Sequence, residues 1–185
     1  MSRSKWTNII FLIVILLLII PQTRLPIQVA LHKLITKVNS IRVLEEDNSV
    51  RITDTNWQLK SEKGLLKNLN QSEGKVIVIN FWATWCAPCI AEMPSLQSLY
   101  DAYNNKVDFL FITTDDFKKV SYFKNKNEYS FPVYQPYSQP PNVLMTKSIP
   151  RTVVINAEGE IVIDESGAVD WFSEKVQSEL NKLLK

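Results

Sequence analysis

Two cysteines, Cys86 and Cys89, are the only ones in the 185-residue chain, and they stand three positions apart. They fall where an apolar run hands over to a helical pattern, and that junction constrains the fold more than any other feature. Residues 76–81 (VIVINF) are almost continuously apolar, as in a strand buried on both faces of a partly parallel sheet. Cys89, Met93, Leu96, Leu99, Tyr100 and Tyr103 then recur at the spacing of one helix face. A strand that feeds directly into a helix in this way is the opening of a parallel α/β unit.

The rest of the chain continues the alternation. Residues 107–113 (VDFLFIT) read as a second buried strand. A helix over about 116–128 carries Phe117, Val120 and Phe123 on one face. Residues 152–156 and 161–164 flank Ala157-Glu158-Gly159, a hairpin signal containing glycine. A last helix bears Phe172, Val176, Leu180 and Leu183, with Asp170 as its N-cap. Residues 134–142 (YQPYSQPPN) are proline-rich and read as an irregular surface loop. The order strand, helix, strand, helix, hairpin, helix describes an α/β sandwich whose parallel half comes first.

Thiols at this junction can do specific chemistry. Free amides at a helix N-terminus favour negative charge, and CxxC thiolates there have pKa values of about 3.5–7.5 against about 8.5 for free cysteine. Cys86 is expected to be the exposed, ionised member, with Cys89 shielded one turn further in. Pro88 suits the first helical turn, and Ala87-Pro88 completes the motif. Thiol–disulfide exchange needs this arrangement: one thiolate attacks a partner's disulfide, and the second thiol resolves the mixed disulfide. Zinc needs about four ligands, and the single histidine, His32, lies well outside this region. A static disulfide over so short a loop gains little from loop closure. A cysteine protease lacks a histidine base in the domain. A formal charge of +2 without a basic stripe does not suit nucleic acid.

The N-terminus adds a location. Arg3 and Lys5 precede an unbroken apolar run at residues 9–20, close to the lower length limit of a membrane span. A cleaved signal peptide has the same shape, but Pro21-Gln22-Thr23-Arg24 lacks the small residues of a cleavage site. An uncleaved anchor fits better, with Arg3 and Lys5 on the cytoplasmic side. Residues 25–38 place Ile27, Leu31, Leu34, Ile35 and Val38 at helical spacing, opposite Gln28, a solvated His32, Lys33 and Lys37. Such a helix suits a stalk or the membrane surface. Residues 39–56 turn polar, as in a linker or an edge strand. The expected organisation is an anchor or signal segment at 1–24, stalk and linker at 25–56, and the globular domain at 57–185.

Residues 81–94 (FWATWCAPCIAEMP) resemble the active-site segment of the thioredoxin superfamily, and more narrowly that of membrane-anchored TlpA/ResA-like thiol-disulfide oxidoreductases. Ser148-Ile149-Pro150-Arg151-Thr152 and the hairpin VVINAEGEIVI extend the resemblance, which runs from about residue 57 to the C-terminus. It implies a thioredoxin-like fold with a central mixed β-sheet flanked by helices. It also implies a cis peptide at Pro150, with the backbone of Ile149 turned toward Cys86 to pair with a substrate segment. Trp85 would shape an apolar contact surface, while Trp82 and Trp85 also contribute to the core. Thioredoxin's buried aspartate is replaced here by Asn80, which cannot take a proton. TlpA/ResA-like proteins carry a glutamate three residues after the second cysteine, matching Glu92. A partly buried Glu92 with a raised pKa would accept the proton of Cys89. Pro94 should kink the active-site helix.

The expected activity is reduction of protein disulfides on the extracytoplasmic side of the cytoplasmic membrane. The resemblance places it in the manner of the cytochrome-maturation branch. The redox-active Cys86–Cys89 pair would serve without a cofactor or metal. Partners would be protein thiols and disulfides and an upstream membrane thiol reductant. An oxidase or isomerase on the same fold is the enzymatic alternative. A copper-handling module, which uses a wider cysteine spacing and a domain histidine, and a thioredoxin-fold scaffold are the others. Residues 167–171 (GAVDW) resemble a recurring end-of-domain segment and have no assigned role.

Overall fold

The computed structural model describes residues 3–36, 39–44 and 50–185. Its elements in chain order are α1 (Arg3–Ile19), α2 (Pro21–Thr36), β1 (Val50–Arg51), β2 (Gln58–Ser61), β3 (Leu66–Asn68), β4 (Val76–Phe81), α3 (Ala87–Tyr103), β5 (Val107–Ile112), α4 (Phe117–Asn127), β6 (Val133–Pro136), β7 (Arg151–Ile155), β8 (Glu160–Ser166) and α5 (Glu174–Leu183). The eight strands form one mixed sheet in the order β1-β8-β7-β4-β5-β6-β2-β3.

The apolar run VIVINF is β4, and every one of its side chains is buried because strands lie on both sides and packing covers both faces. β5 pairs with it in parallel and β7 antiparallel. Its side chains alternate between two cores. Val76 and Val78 join Met93, Leu96 and Leu99 of α3, Val120 of α4 and Val176 and Leu180 of α5. Ile77, Ile79 and Phe81 join Trp57, Leu59, Leu69 and Leu144 on the opposite face. Truncating a residue such as Leu96, which is fully buried, would cost about 2–5 kcal/mol. α3 continues through Pro94 as one helix to Tyr103.

Several expectations change. Tyr134–Pro136 belong to β6 rather than to a loop; the strand sits between β5 and β2 and ends on its proline. The hairpin β2–β3 was not expected at all. Its turn places Gly64 at φ +78°, a conformation glycine adopts without strain. Asp170 is not the cap of α5. Its carboxylate accepts from the amide of Phe172, and Ser173 takes the N-cap position. The edge strand foreseen in 39–56 is β1, paired with β8. Ile41 and Ile52 are buried too, so the core reaches upstream of residue 57.

α1 and α2 meet at a bend of 92°. Among the described residues no single helix is long and apolar enough to cross a membrane, though the bent pair passes that test jointly. α2 packs against α3. Its apolar stripe of Ile27, Leu31, Leu34 and Ile35 is exposed, while Leu25, Val29 and His32 are half-buried and Thr36 is buried. The face pattern is thus the reverse of a helix docked by its apolar side, and His32 is not freely solvated. Val38 and Lys37 lie outside the described residues.

Candidate active site

β4 ends at Phe81, and five residues lead to the start of α3. Trp82 anchors this turn. Its amide donates to the carbonyl of Ile112 (3.0 Å), and its ring packs against Phe123 and Phe131. Cys86 is the N-cap of α3, with Ala87 and Pro88 in the first turn. The two cysteines form a disulfide with Cα atoms 5.2 Å apart. The Sγ of Cys86 accepts from the backbone amide of Cys89 at 3.3 Å. That amide is one of the free donors of the helix N-terminus, so it would stabilise a thiolate at Cys86 once the bond is reduced. Cys89 is shielded as expected at 0% exposure, but Cys86 is buried too, at 5%, rather than the exposed member. The Sγ of Cys86 is bonded to Cys89 and accepts from the amide of that residue, so it lies against the first turn of α3.

Glu92 lies one turn deeper. It is 1% exposed, deeper than the partial burial foreseen. Asn80 Nδ2 donates to Oε1 (3.0 Å), while the amide of Val169 (3.3 Å) and Trp171 Nε1 (3.1 Å) donate to Oε2. Burial raises its pKa to about 8, against the lowering effect of those three donors, of which Trp171 is the strongest. A carboxyl group with that pKa can exchange a proton near neutrality.

On the other flank, the Ile149–Pro150 peptide is cis and immediately precedes β7. Arg151 fastens this segment. Its guanidinium donates to both carboxylate oxygens of Asp164 on β8 (2.8 and 2.7 Å) and to the carbonyls of Val143 and Met145. Ile149 and Trp85 line one largely apolar cavity of about 320 Å³, shared with Trp57, Phe81, Leu144 and Met145. Trp85 is 67% exposed and so contributes to surface, not to core. Its indole donates to Asp115 Oδ1 (3.2 Å), and Asp115 Oδ2 also accepts from the amide and hydroxyl of Thr84. Asp115 thereby fixes the tryptophan beside the disulfide.

The structure therefore groups Cys86, Cys89 and Glu92 along the first turns of α3 and sets Trp85 with Ile149 across one cavity. Asp115, Arg151 and Trp171 were missed by the sequence reading. The only signal for Trp171 was its place in the GAVDW segment. Among the described residues no cluster of histidine, cysteine and acidic side chains could hold a metal ion.

A helix-capping disulfide, a cis-proline just before a strand and a buried acid on a mixed sheet define a protein built for thiol–disulfide exchange. The Redoxin family model matches residues 47–180. The chain is 32% identical over 139 residues to thiol-disulfide oxidoreductase ResA of Oceanobacillus iheyensis, covering 68% of this chain and 71% of that one. It is 30% identical over 135 residues to ResA of Halalkalibacterium halodurans, covering 70% and 74%. A Chlorobium tepidum crystal structure assigned as thiol:disulfide interchange protein DsbE superposes with a TM-score of 0.62 at 20% identity, over 79% of this chain and all of that one; it shows the fold alone. The chain belongs to the Redoxin family of the thioredoxin superfamily and is a thiol-disulfide oxidoreductase related to ResA.

Proposed function

We propose that the protein is a membrane-tethered reductase of protein disulfides on the extracytoplasmic side, with Cys86 as nucleophile, Cys89 as resolving thiol and Glu92 as its base. The observation that carries this reading is a disulfide at the start of α3 with a dry carboxyl group one turn below it. In the reduced protein, the Cys86 thiolate attacks one sulfur of a partner disulfide. The other partner sulfur leaves as a thiolate and takes a proton from water. Glu92 then accepts the proton of Cys89, whose thiolate attacks Cys86. The mixed disulfide breaks, the second partner thiolate departs, and two electrons have passed to the partner while Cys86–Cys89 closes. An upstream membrane thiol reductant restores the dithiol. The protein needs no bound cofactor in this cycle. The segment beside cis-Pro150, with Trp85 and Ile149, receives an extended stretch of the partner. The task belongs with the cytochrome-maturation branch that the resemblance implied.

α1 is the anchor in this reading, and its apolar side chains are exposed along the helix. Its 17 residues reach about 26 Å, short of the hydrocarbon thickness of about 30 Å, so α1 alone does not make a span and α2 completes the attachment. The 92° bend then lays α2 along the interface. The outward stripe of Ile27, Leu31, Leu34 and Ile35 meets lipid there, and the domain rides on the other side.

Equilibration with glutathione tests the direction of electron flow. A potential of about −200 mV or lower is expected, and one as high as about −120 mV would make the protein an oxidase. Cys89→Ser should leave Cys86 disulfide-linked to its natural partner, which identifies it. A membrane-impermeant thiol reagent should label reduced Cys86 in intact cells; labelling only after lysis would overturn the extracytoplasmic placement.

A further inference from the structure

The GAVDW segment supplies two of the three hydrogen-bond donors to Glu92, although it takes no part in the exchange steps. It leaves β8 through Gly167, whose φ of +95° is a conformation that favours glycine. The amide of Gly167 donates to the carbonyl of Pro150 (2.9 Å). Trp171 is fully buried, and its amide donates to Ser95 Oγ (3.1 Å), which in turn donates to the carbonyl of Glu92 (2.7 Å). The indole is therefore tied by its own backbone to the helix that carries the acid.

We infer that Val169 and Trp171 hold Oε2 of Glu92 as a fixed acceptor, so that the proton taken from Cys89 is carried on Oε1, where the Asn80 amide turns over to receive it. Resting on the reading of Glu92 as the base of Cys89, this assigns Trp171 and Asn80 as positioning residues. The two oxygens of Glu92 are not equivalent. Oε2 faces two N–H groups, neither of which can accept a proton, so an O–H there would oppose both. Oε1 has one partner, Asn80 Nδ2, which also donates to Thr152 Oγ1 at 2.8 Å. Asn80 Oδ1 is buried without a partner. A half turn of the amide presents that oxygen to a protonated Oε1, and the Thr152 hydroxyl switches from acceptor to donor toward it. One side chain thus serves the carboxylate as a donor and the acid as an acceptor. An aspartate at position 80 would place a second carboxylate beside the first. The groups that bond the Glu92 carboxylate are Asn80 from β4, with Thr152 of β7 behind it, and Val169 and Trp171 from the C-terminal segment; on α3 itself Ser95 bonds the Glu92 carbonyl and Cys89 stands three positions earlier. Of these, only Cys89 can ionise, and only once the disulfide is opened.

The test is an infrared titration of the Glu92 carboxyl band in the oxidised protein, assigned with Glu92→Gln, alongside the pH profile of mixed-disulfide release. Trp171→Phe keeps a ring but removes the N–H that stabilises the carboxylate. Its titration midpoint should rise by about one unit, and release should slow about tenfold below the midpoint and recover above it. Asn80→Ala should move the midpoint less, because it removes a partner of both protonation states. A folded Trp171→Phe protein with an unmoved midpoint overturns the inference, as does an upward shift in Asn80→Ala as large as that of Trp171→Phe. If Trp171→Phe does not fold, replacing its indole by a benzothiophene of the same shape removes only the N–H and gives the same reading. A midpoint that moves while release is independent of pH would uphold the positioning by Trp171 and refute Glu92 as the base.

Discussion

Two indole–carboxylate pairs flank the disulfide, and they differ chiefly in their access to water. Trp85 donates to Asp115 at the surface, and Trp171 donates to Glu92 in the core, at nearly the same distance (3.2 and 3.1 Å). The exposed pair holds the apolar ring of Trp85 open to solvent beside the disulfide. The buried pair has no solvent to help carry a charge, so desolvation lifts the pKa of Glu92 to about 8 despite three donors. In the proposed mechanism the same indole–carboxylate hydrogen bond serves a docking surface on one flank and a proton acceptor on the other, and the environment decides which.

The contrast predicts unequal effects. Glu92→Gln removes a base and should slow mixed-disulfide release by about 10²–10⁴-fold, measured by single-turnover kinetics. Equal slowing of the first attack by Cys86 would mean that Glu92 supports the site as a whole instead of the resolving step.

The next effect is on stability. Folded Glu92 holds its proton up to about pH 8, whereas its ordinary carboxyl pKa is 4.5. The native state therefore binds more protons than the unfolded chain between these values, and stability must fall as pH rises through that window. The loss should be on the order of a few kcal/mol, and it should be complete above about pH 8. Denaturant titrations across this range should show it in the wild type and not in Glu92→Gln. A wild-type stability that climbed with pH there would mean Glu92 is ionised in the fold.

The smallest effect belongs to the wet pair. Asp115→Asn should weaken partner binding only a few-fold, consistent with a net contribution of about 0.5–1.5 kcal/mol for an exposed hydrogen bond. The pH dependence of release should stay in place. A shifted profile would show that the two flanks are coupled.

Local pattern made half of this site legible. VIVINF announced β4 because a strand buried on both faces has no polar alternation. Cys86, Cys89 and Glu92 lie within one stretch whose helical spacing can be counted. What escaped depends on contacts distant along the chain. Trp171 reaches Glu92 across 79 positions and Trp85 meets Asp115 across 30, so no local period marks either pair. β6 was hidden by its closing proline and by the proline-rich loop after it. α2 misled for another reason: periodicity found its apolar stripe but not which side the protein would take. The domain packs against the half-buried side of Leu25, Val29, His32 and Thr36 and leaves the stripe outward. In the proposed tether that outward stripe is the side that meets lipid.

In the proposed mechanism, resolution of the mixed disulfide waits on a proton moving from Cys89 to a carboxyl group kept dry beneath it. The direct measurement is the rate of partner release from a preformed Cys86 mixed disulfide as a function of pH, in wild type and Glu92→Gln. The wild-type rate should rise to a plateau with a midpoint near 8, the value burial gives Glu92, and the variant should be slow with no midpoint there. Superimposable profiles for the two proteins would show that Glu92 is not the base of Cys89.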